Sequence, residues 1–142
     1  MHQFKQIDEN FYLGPQPTGE DLKQAKQRGV KTVIDFRLPN EPAAETESLA
    51  ASSGLDYVNI PVNKTCLSID QLDELDRAMQ EQQGPFLIHC ASGARAALLL
   101  SLYKGRAQHW TAERTFEEAR KMGFDLHGSP EFSSFVRTVT EG

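Results

Sequence analysis

Ten consecutive residues, Phe86-Leu87-Ile88-His89-Cys90-Ala91-Ser92-Gly93-Ala94-Arg95, constrain the fold more than any other part of this sequence. An apolar run enters His89-Cys90, a short stretch with Gly93 turns the chain, and Arg95 opens the apolar segment Ala96-Ala97-Leu98-Leu99-Leu100. The order is strand, tight loop, helix. A Cys at the start of such a loop lies where backbone N–H groups and the positive helix end converge, which collects anions and favours a nucleophilic thiolate. Nucleophile and anion site therefore coincide.

The rest of the chain supplies a scaffold for that unit. Phe11-Tyr12-Leu13, stopped by Gly14-Pro15-Gln16-Pro17, reads as a short edge strand, because neither proline can donate to a ladder. Thr18-Gly19-Glu20-Asp21 has the form of a capping box, and Gly29 ends the helix of about ten residues that it starts. Val30 to Phe36 is β-branched and apolar, which predicts a buried strand before Arg37 and Pro39. Ala and Glu from Glu41 to Ser53 predict a helix stopped by Gly54, and Leu55 to Ile60 alternates as a strand up to Pro61. Ser68-Ile69-Asp70-Gln71 is a second capping box, with Ile69, Leu72, Leu75 and Met79 expected on the inner face of its helix. Gly84-Pro85 then launches the strand into Cys90, and helices follow from Ala96, from Thr111 to Met122, and from Ser129-Pro130-Glu131.

Strands that alternate with helices predict an α/β three-layer sandwich with a mostly parallel central sheet, here a single domain over 1–142. In such sheets ligands sit beyond the C-terminal ends of the strands, the end at which Cys90 emerges. The 15 Lys+Arg against 20 Asp+Glu argue against a nucleic-acid or anionic-membrane surface, so an anionic substrate must be met locally. No apolar run reaches the roughly 20 residues of a membrane span, and Met1-His2-Gln3-Phe4-Lys5 lacks a signal-peptide layout. A cytoplasmic location is the expectation, with Cys66 and Cys90 both reduced. Nothing in the sequence encodes an oligomeric state.

The chemistry follows from the spacing. A thiolate at Cys90 can attack electrophilic phosphorus or sulfur, while Arg95 clamps anion oxygens with two donors. Ala91, Ser92, Gly93 and Ala94 form the backbone ring, in which Gly93 permits a positive φ or a close approach. His89 supports Cys90 from behind rather than acting as its base. An isolated Cys at a strand end is ordinarily structural; Cys, Gly and Arg together on a strand-loop-helix unit are not.

These residues carry a family resemblance. Ile88-His89-Cys90-x-x-Gly93 resembles the start of the His-Cys-x-x-Gly-x-x-Arg signature of cysteine-dependent protein tyrosine and dual-specificity phosphatases. Phe11 to Pro17, Lys31 to Arg37 and Tyr57-Val58-Asn59-Ile60-Pro61-Val62 are similar to strands of the bacterial phosphatase-like branch, including proteins found beside or fused to persulfide-metabolising enzymes. The resemblance implies the phosphatase α/β fold, Cys90 as nucleophile, Arg95 as anion clamp, a phosphorylated protein or small molecule as substrate, and no metal or other cofactor.

Three departures bear on the reaction. Arg95 makes the loop Cys-x4-Arg instead of Cys-x5-Arg, the spacing typical of rhodanese-type sulfurtransferases. Ala96 stands where a Ser or Thr usually follows the Arg. Asn63-Lys64-Thr65 occupies the region from which the family takes an acidic proton donor, and Lys64 offers charge there rather than a proton. Asp70 is the nearest carboxyl and the expected general acid, with Asp35 the runner-up at the end of a neighbouring strand. Three readings stay open: a phosphatase working through a phosphocysteine, which leads; a sulfurtransferase carrying a persulfide on Cys90; and a non-catalytic phosphate-binding module.

The remaining residues read as structural. Arg37 is expected to pair with Asp35 or a neighbouring carboxylate and brace the cradle. Glu41, Glu45 and Glu47 read as a solvated helix face, Cys66 as a buried small residue, and His109-Trp110 as a packing plug. His2, His89 and His127 form no cluster at metal spacing.

Overall fold

In a computed structural model of the chain, residues 1–41 and 45–141 are described. Five strands form one sheet: β1 (Lys5–Asp8), β2 (Phe11–Gly14), β3 (Thr32–Asp35), β4 (Asp56–Asn59) and β5 (Phe86–His89), in the order β1-β2-β5-β3-β4. Only β1 runs antiparallel to its neighbour; the other pairings are parallel.

Alternation along the strands sends successive side chains to opposite faces. On one face Tyr12, Val33 and Leu87 pack with Leu22 and Ala25 of α1 (Gly19–Gln27) and Ala50 of α2 (Thr46–Ser52). On the other, Leu13, Ile34 and Ile88 meet α3 (Ile69–Glu81), α4 (Ala94–Gln108), α5 (Ala112–Lys121) and α6 (Pro130–Glu141). The result is the expected three-layer sandwich. α4 is the middle helix of that second helical layer, with Ala96 to Leu100 all fully buried. A short 3₁₀ turn, Leu126–Gly128, leads into α6. Among the described residues no helix is long and apolar enough to cross a membrane.

Local signals set the helix starts. Thr18 and Asp21 form a reciprocal capping box, as do Ser68 and Gln71, so orphan N–H groups at the starts of both helices are satisfied by side chains. Gly29, at φ +94°, ends α1 in the left-handed region.

Three expectations need correction. Phe11-Tyr12-Leu13 is an inner strand, not an edge: Pro15 and Pro17 lie past its end, and β1 pairs with it on the outer side. Lys5-Gln6-Ile7-Asp8 is too polar to read as a strand, yet it folds back through a turn in which Asp8 accepts the Asn10 N–H at 2.8 Å. The helix expected over 41–53 is the seven-residue α2; Pro42, Ala43 and Ala44 lie outside the described residues. Ile69 is 43% exposed, while Leu72, Leu75 and Ala78 are buried, because the first turn of α3 projects beyond the core beside α6.

Register aligns the functional ends of the strands. His89 is level with Gly14 on one side and Asp35 on the other, and Asp35 with Asn59. Cys90 and the loops after β2, β3 and β4 thus share one edge of the sheet.

Candidate active site

Cys90 leaves β5 fully buried, and the loop Ala91-Ser92-Gly93 carries the chain into α4. Gly93 is the N-cap at φ +104°, where a Cβ would stand 2.6 Å from the ring of Phe124. Its N–H donates to Cys90 Sγ at 3.0 Å, the Ala94 N–H donates to Ser92 Oγ at 3.3 Å, and Gln16 N–H donates to the Ala91 carbonyl at 3.2 Å. The loop after β2 therefore holds the cradle from outside.

Arg95, on the first turn of α4, has two oxygens of one carboxylate across its end. Nη1 donates to Glu41 Oε2 at 2.7 Å and to the Val62 carbonyl at 3.0 Å; Nη2 donates to Glu41 Oε1 at 2.8 Å. A guanidinium has five N–H donors, so Nε–H and one Nη2–H lie beyond these bonds, and the Arg95 side chain also has Cys90 as a hydrogen-bond partner. The hydrogen bonds from Arg95 pull Glu41 down to about 2, and Glu41, together with Cys90, holds Arg95 firmly protonated.

Behind Cys90 lies a second, buried polar layer on the opposite face of the sheet. Arg37 Nε and Nη2 donate to Asp35 Oδ1 and Oδ2 at 3.2 and 3.1 Å, and Tyr57 donates to Oδ2 at 2.7 Å. Burial opposes ionisation of Asp35, but the His89 ring, Arg37 and Tyr57 outweigh it and hold its carboxyl below the usual range. Thr46 Oγ1 accepts from Arg37 at 3.1 Å and from Gln16 at 2.7 Å, tying α2 to the layer. His89 Nδ1 stands 3.3 Å from the Cys90 carbonyl and Nε2 stands 3.8 Å from Asp35. Burial depresses His89 to about 4, so at neutral pH it is an uncharged ring behind the nucleophile.

An open cleft of about 650 Å³ lies over the loop. Ala91, Ser92, Ala94 and Arg95 face it, with Lys64 on one wall and Glu131 on the other. The structure thus brings together the expected loop residues, His89, Asp35 and Arg37, and it does not bring in Asp70. Asp70 is exposed on the first turn of α3, its N–H on Ser68 Oγ, outside the residues that line the cleft. Asp35 points to the far face. The carboxylates that line the cleft are Glu41 and Glu131, and sequence reasoning assigned neither to the site. Glu41 is no solvated helix residue: it precedes α2 and follows the end of β3, and a carboxylate at that edge of a parallel sheet was the available signal. Cys66 is exposed rather than buried, and both thiols are free. Among the described residues no group of three or more His, Cys, Asp or Glu could hold a metal ion.

A sequence-family model matches residues 3–107: that of the beta-lactamase hydrolase-like protein, phosphatase-like domain. The beta-lactamase hydrolase-like protein of Xylella fastidiosa (strain 9a5c) is 27% identical over 162 residues, an overlap of 95% of this chain and 37% of the relative. The chain thus spans little more than a third of that curated relative. Among solved structures, a DUF442 protein from Shewanella putrefaciens CN-32 superposes with a TM-score of 0.81 at 22% identity, covering 98% of this chain and 89% of the other. The core catalytic domain of the PP-IP phosphatase SIW14 from S. cerevisiae, solved with citrate, gives 0.75 at 19% identity, covering 94% and 83%.

Proposed function

This chain belongs to the phosphatase-like domain family of beta-lactamase hydrolase-like proteins, and from that premise we propose that it hydrolyses phosphate monoesters of the tyrosine or dual-specificity type through a phosphocysteine at Cys90. The observation that carries the reading is the Cys90–Gly93–Arg95 cradle: a buried sulfur accepting the Gly93 N–H, beside an arginine whose end is tied back by Glu41 and whose side chain also interacts with Cys90.

In the first step the Cys90 thiolate attacks phosphorus and the bond to the ester oxygen breaks. Arg95 and the loop N–H groups not engaged by Cys90 Sγ and Ser92 Oγ take up the charge on the non-bridging oxygens. The leaving oxygen needs a proton. Glu131 is the donor we propose, because Glu41 is held as a carboxylate by Arg95, Asp35 by Arg37 and Tyr57, and Asp70 stands outside the cleft. Lys64 neutralises charge at the rim. In the second step water attacks phosphorus, orthophosphate departs and the thiolate returns. With the buried methyl of Ala96 after Arg95, no hydroxyl at that position assists the departing sulfur, so this step is expected to limit turnover.

The test is phosphate release from an aryl phosphate by wild type and Cys90→Ser. Activity in the wild type that disappears in Cys90→Ser supports the reading. Two inactive proteins overturn it.

A second reading is favoured by one observation, the Cys-x4-Arg count. The smaller ring suits one sulfur atom on Cys90. In that reaction the thiolate attacks the outer sulfur of thiosulfate, sulfite leaves, and cyanide then removes the sulfur as thiocyanate. A one-sulfur mass increment on Cys90 after thiosulfate treatment, with thiocyanate formed on adding cyanide, would establish it in place of ester hydrolysis.

A further inference from the structure

We propose that the cleft over Cys90 continues into an apolar subsite between the first turn of α3 and α6, and that this subsite takes an uncharged apolar arm of the substrate's leaving group. The proposal deepens the phosphomonoester reading, on which it rests for the nature of the anion at Cys90.

The first observation is continuity. A second cleft, of about 660 Å³, shares Lys64, Thr65 and Glu131 with the one over the Cys90 loop, so a ligand anchored at Arg95 leaves the cradle directly into it. The second observation is the character of its walls. Leu67 and Ile69 line one side and Phe135 and Val139 the other, with the hydroxyls of Ser134 and Thr138 along the α6 side. Ile69, 43% exposed, is the large hydrophobic residue most open to solvent among the described residues, and it faces this cleft rather than the core. The four apolar side chains line one cleft, and an apolar group lodged in it would cover Ile69.

The third observation is charge. The charged residues that line the two clefts are Lys64 and Arg95 against Glu41 and Glu131. The charges of Arg95 and Glu41 cancel as a pair, which leaves one lysine facing one glutamate where the clefts join. A leaving group bearing further phosphates would meet Glu131 with a single cation to offset it. An arm without charge can lie against Leu67, Ile69, Phe135 and Val139, and each methylene buried there strengthens binding by about fourfold.

Calorimetric titration of the full chain with phenylphosphonate, 4-butylphenylphosphonate and inositol hexakisphosphate tests this. The butyl compound is expected to bind at least about tenfold tighter than the phenyl compound. Ile69→Asp and Val139→Asp should each remove that preference and leave phenylphosphonate binding unchanged. Equal affinities, equal losses for both phosphonates in the two variants, no binding of either, or tighter binding of inositol hexakisphosphate would each overturn the subsite. The outcomes separate it from the catalytic proposal: a butyl preference without hydrolysis of the matching phosphate esters keeps the subsite and sinks the phosphatase reading, and hydrolysis indifferent to the butyl arm does the reverse.

Discussion

Glu41 grips Arg95 end-on, Oε2 to Nη1 at 2.7 Å and Oε1 to Nη2 at 2.8 Å, so a carboxylate from the loop after β3 sets the angle of the guanidinium beside Cys90. The pair is half a clamp. Its fixed half faces Glu41 and the Val62 carbonyl, and its other half lies toward Cys90, where an incoming anion would meet it.

Arg95→Lys should lower kcat/KM on an aryl phosphate by about a hundredfold or more, because an ammonium cannot hold Glu41, Val62 and two substrate oxygens at once. Glu41→Gln should cost less, about tenfold, and mainly in KM, since Arg95 keeps its charge but loses its orientation. Steady-state kinetics of the two variants measure both effects. Equal, full activity in Glu41→Gln would mean that the ion pair does not position Arg95.

Gly93→Ala should distort the cradle. At φ +104° an L-residue is strained, and the added methyl meets Phe124 at 2.6 Å. The expected cost is about 1 to 3 kcal/mol of stability, together with loss of binding to phosphate or sulfate. Urea denaturation and anion titration check the two parts separately.

Stability should fall in acid through His89. Burial depresses this imidazole from 6.5 to about 4, so the unfolded chain binds the proton more readily than the folded one. Its contribution is complete above pH 6.5, is lost progressively as the pH falls toward about 4, and is flat below that. The total is on the order of 3 kcal/mol. Asp35, whose carboxyl is also depressed, acts with the same sign at lower pH. Denaturation midpoints at pH 7 and pH 4.5, compared for wild type and His89→Gln, measure the His89 share; a pH slope unchanged by the substitution would refute it.

Arg37→Leu should destabilise the fold by about 3 to 5 kcal/mol, because Asp35 would remain as a buried carboxylate without its main partner. Asp35→Asn in the same chain should recover part of the loss. The double-mutant cycle, read by urea denaturation, separates this coupling from lost packing.

The scaffold was legible because it follows local rules. The apolar run into His89-Cys90, the Thr18 and Ser68 capping boxes and the left-handed Gly29 each act over a few residues, and each is observed. The cradle was legible for the same reason, since Cys90, Gly93 and Arg95 lie within one strand-loop-helix unit. The miss at Ile69 shows where such rules stop: helical periodicity put it on the inner face, but along α3 the core begins only a turn later, at Leu72.

By itself, the sequence determined the three-layer α/β frame and the pairing of a thiol with an arginine at one strand end, because propensity, capping and alternation are short-range. Only the tertiary structure decided which carboxylates reach that thiol. Glu41 and Arg95 are 54 residues apart, and nothing local distinguishes Glu41 from Glu45 or Glu47. Parallel register brings the loop after β3 level with the loop after β5, carries Glu131 in on α6, and leaves Asp70 in solvent. The physical reason is that an ion pair depends on distance in space, which the sheet's strand order sets and sequence separation does not.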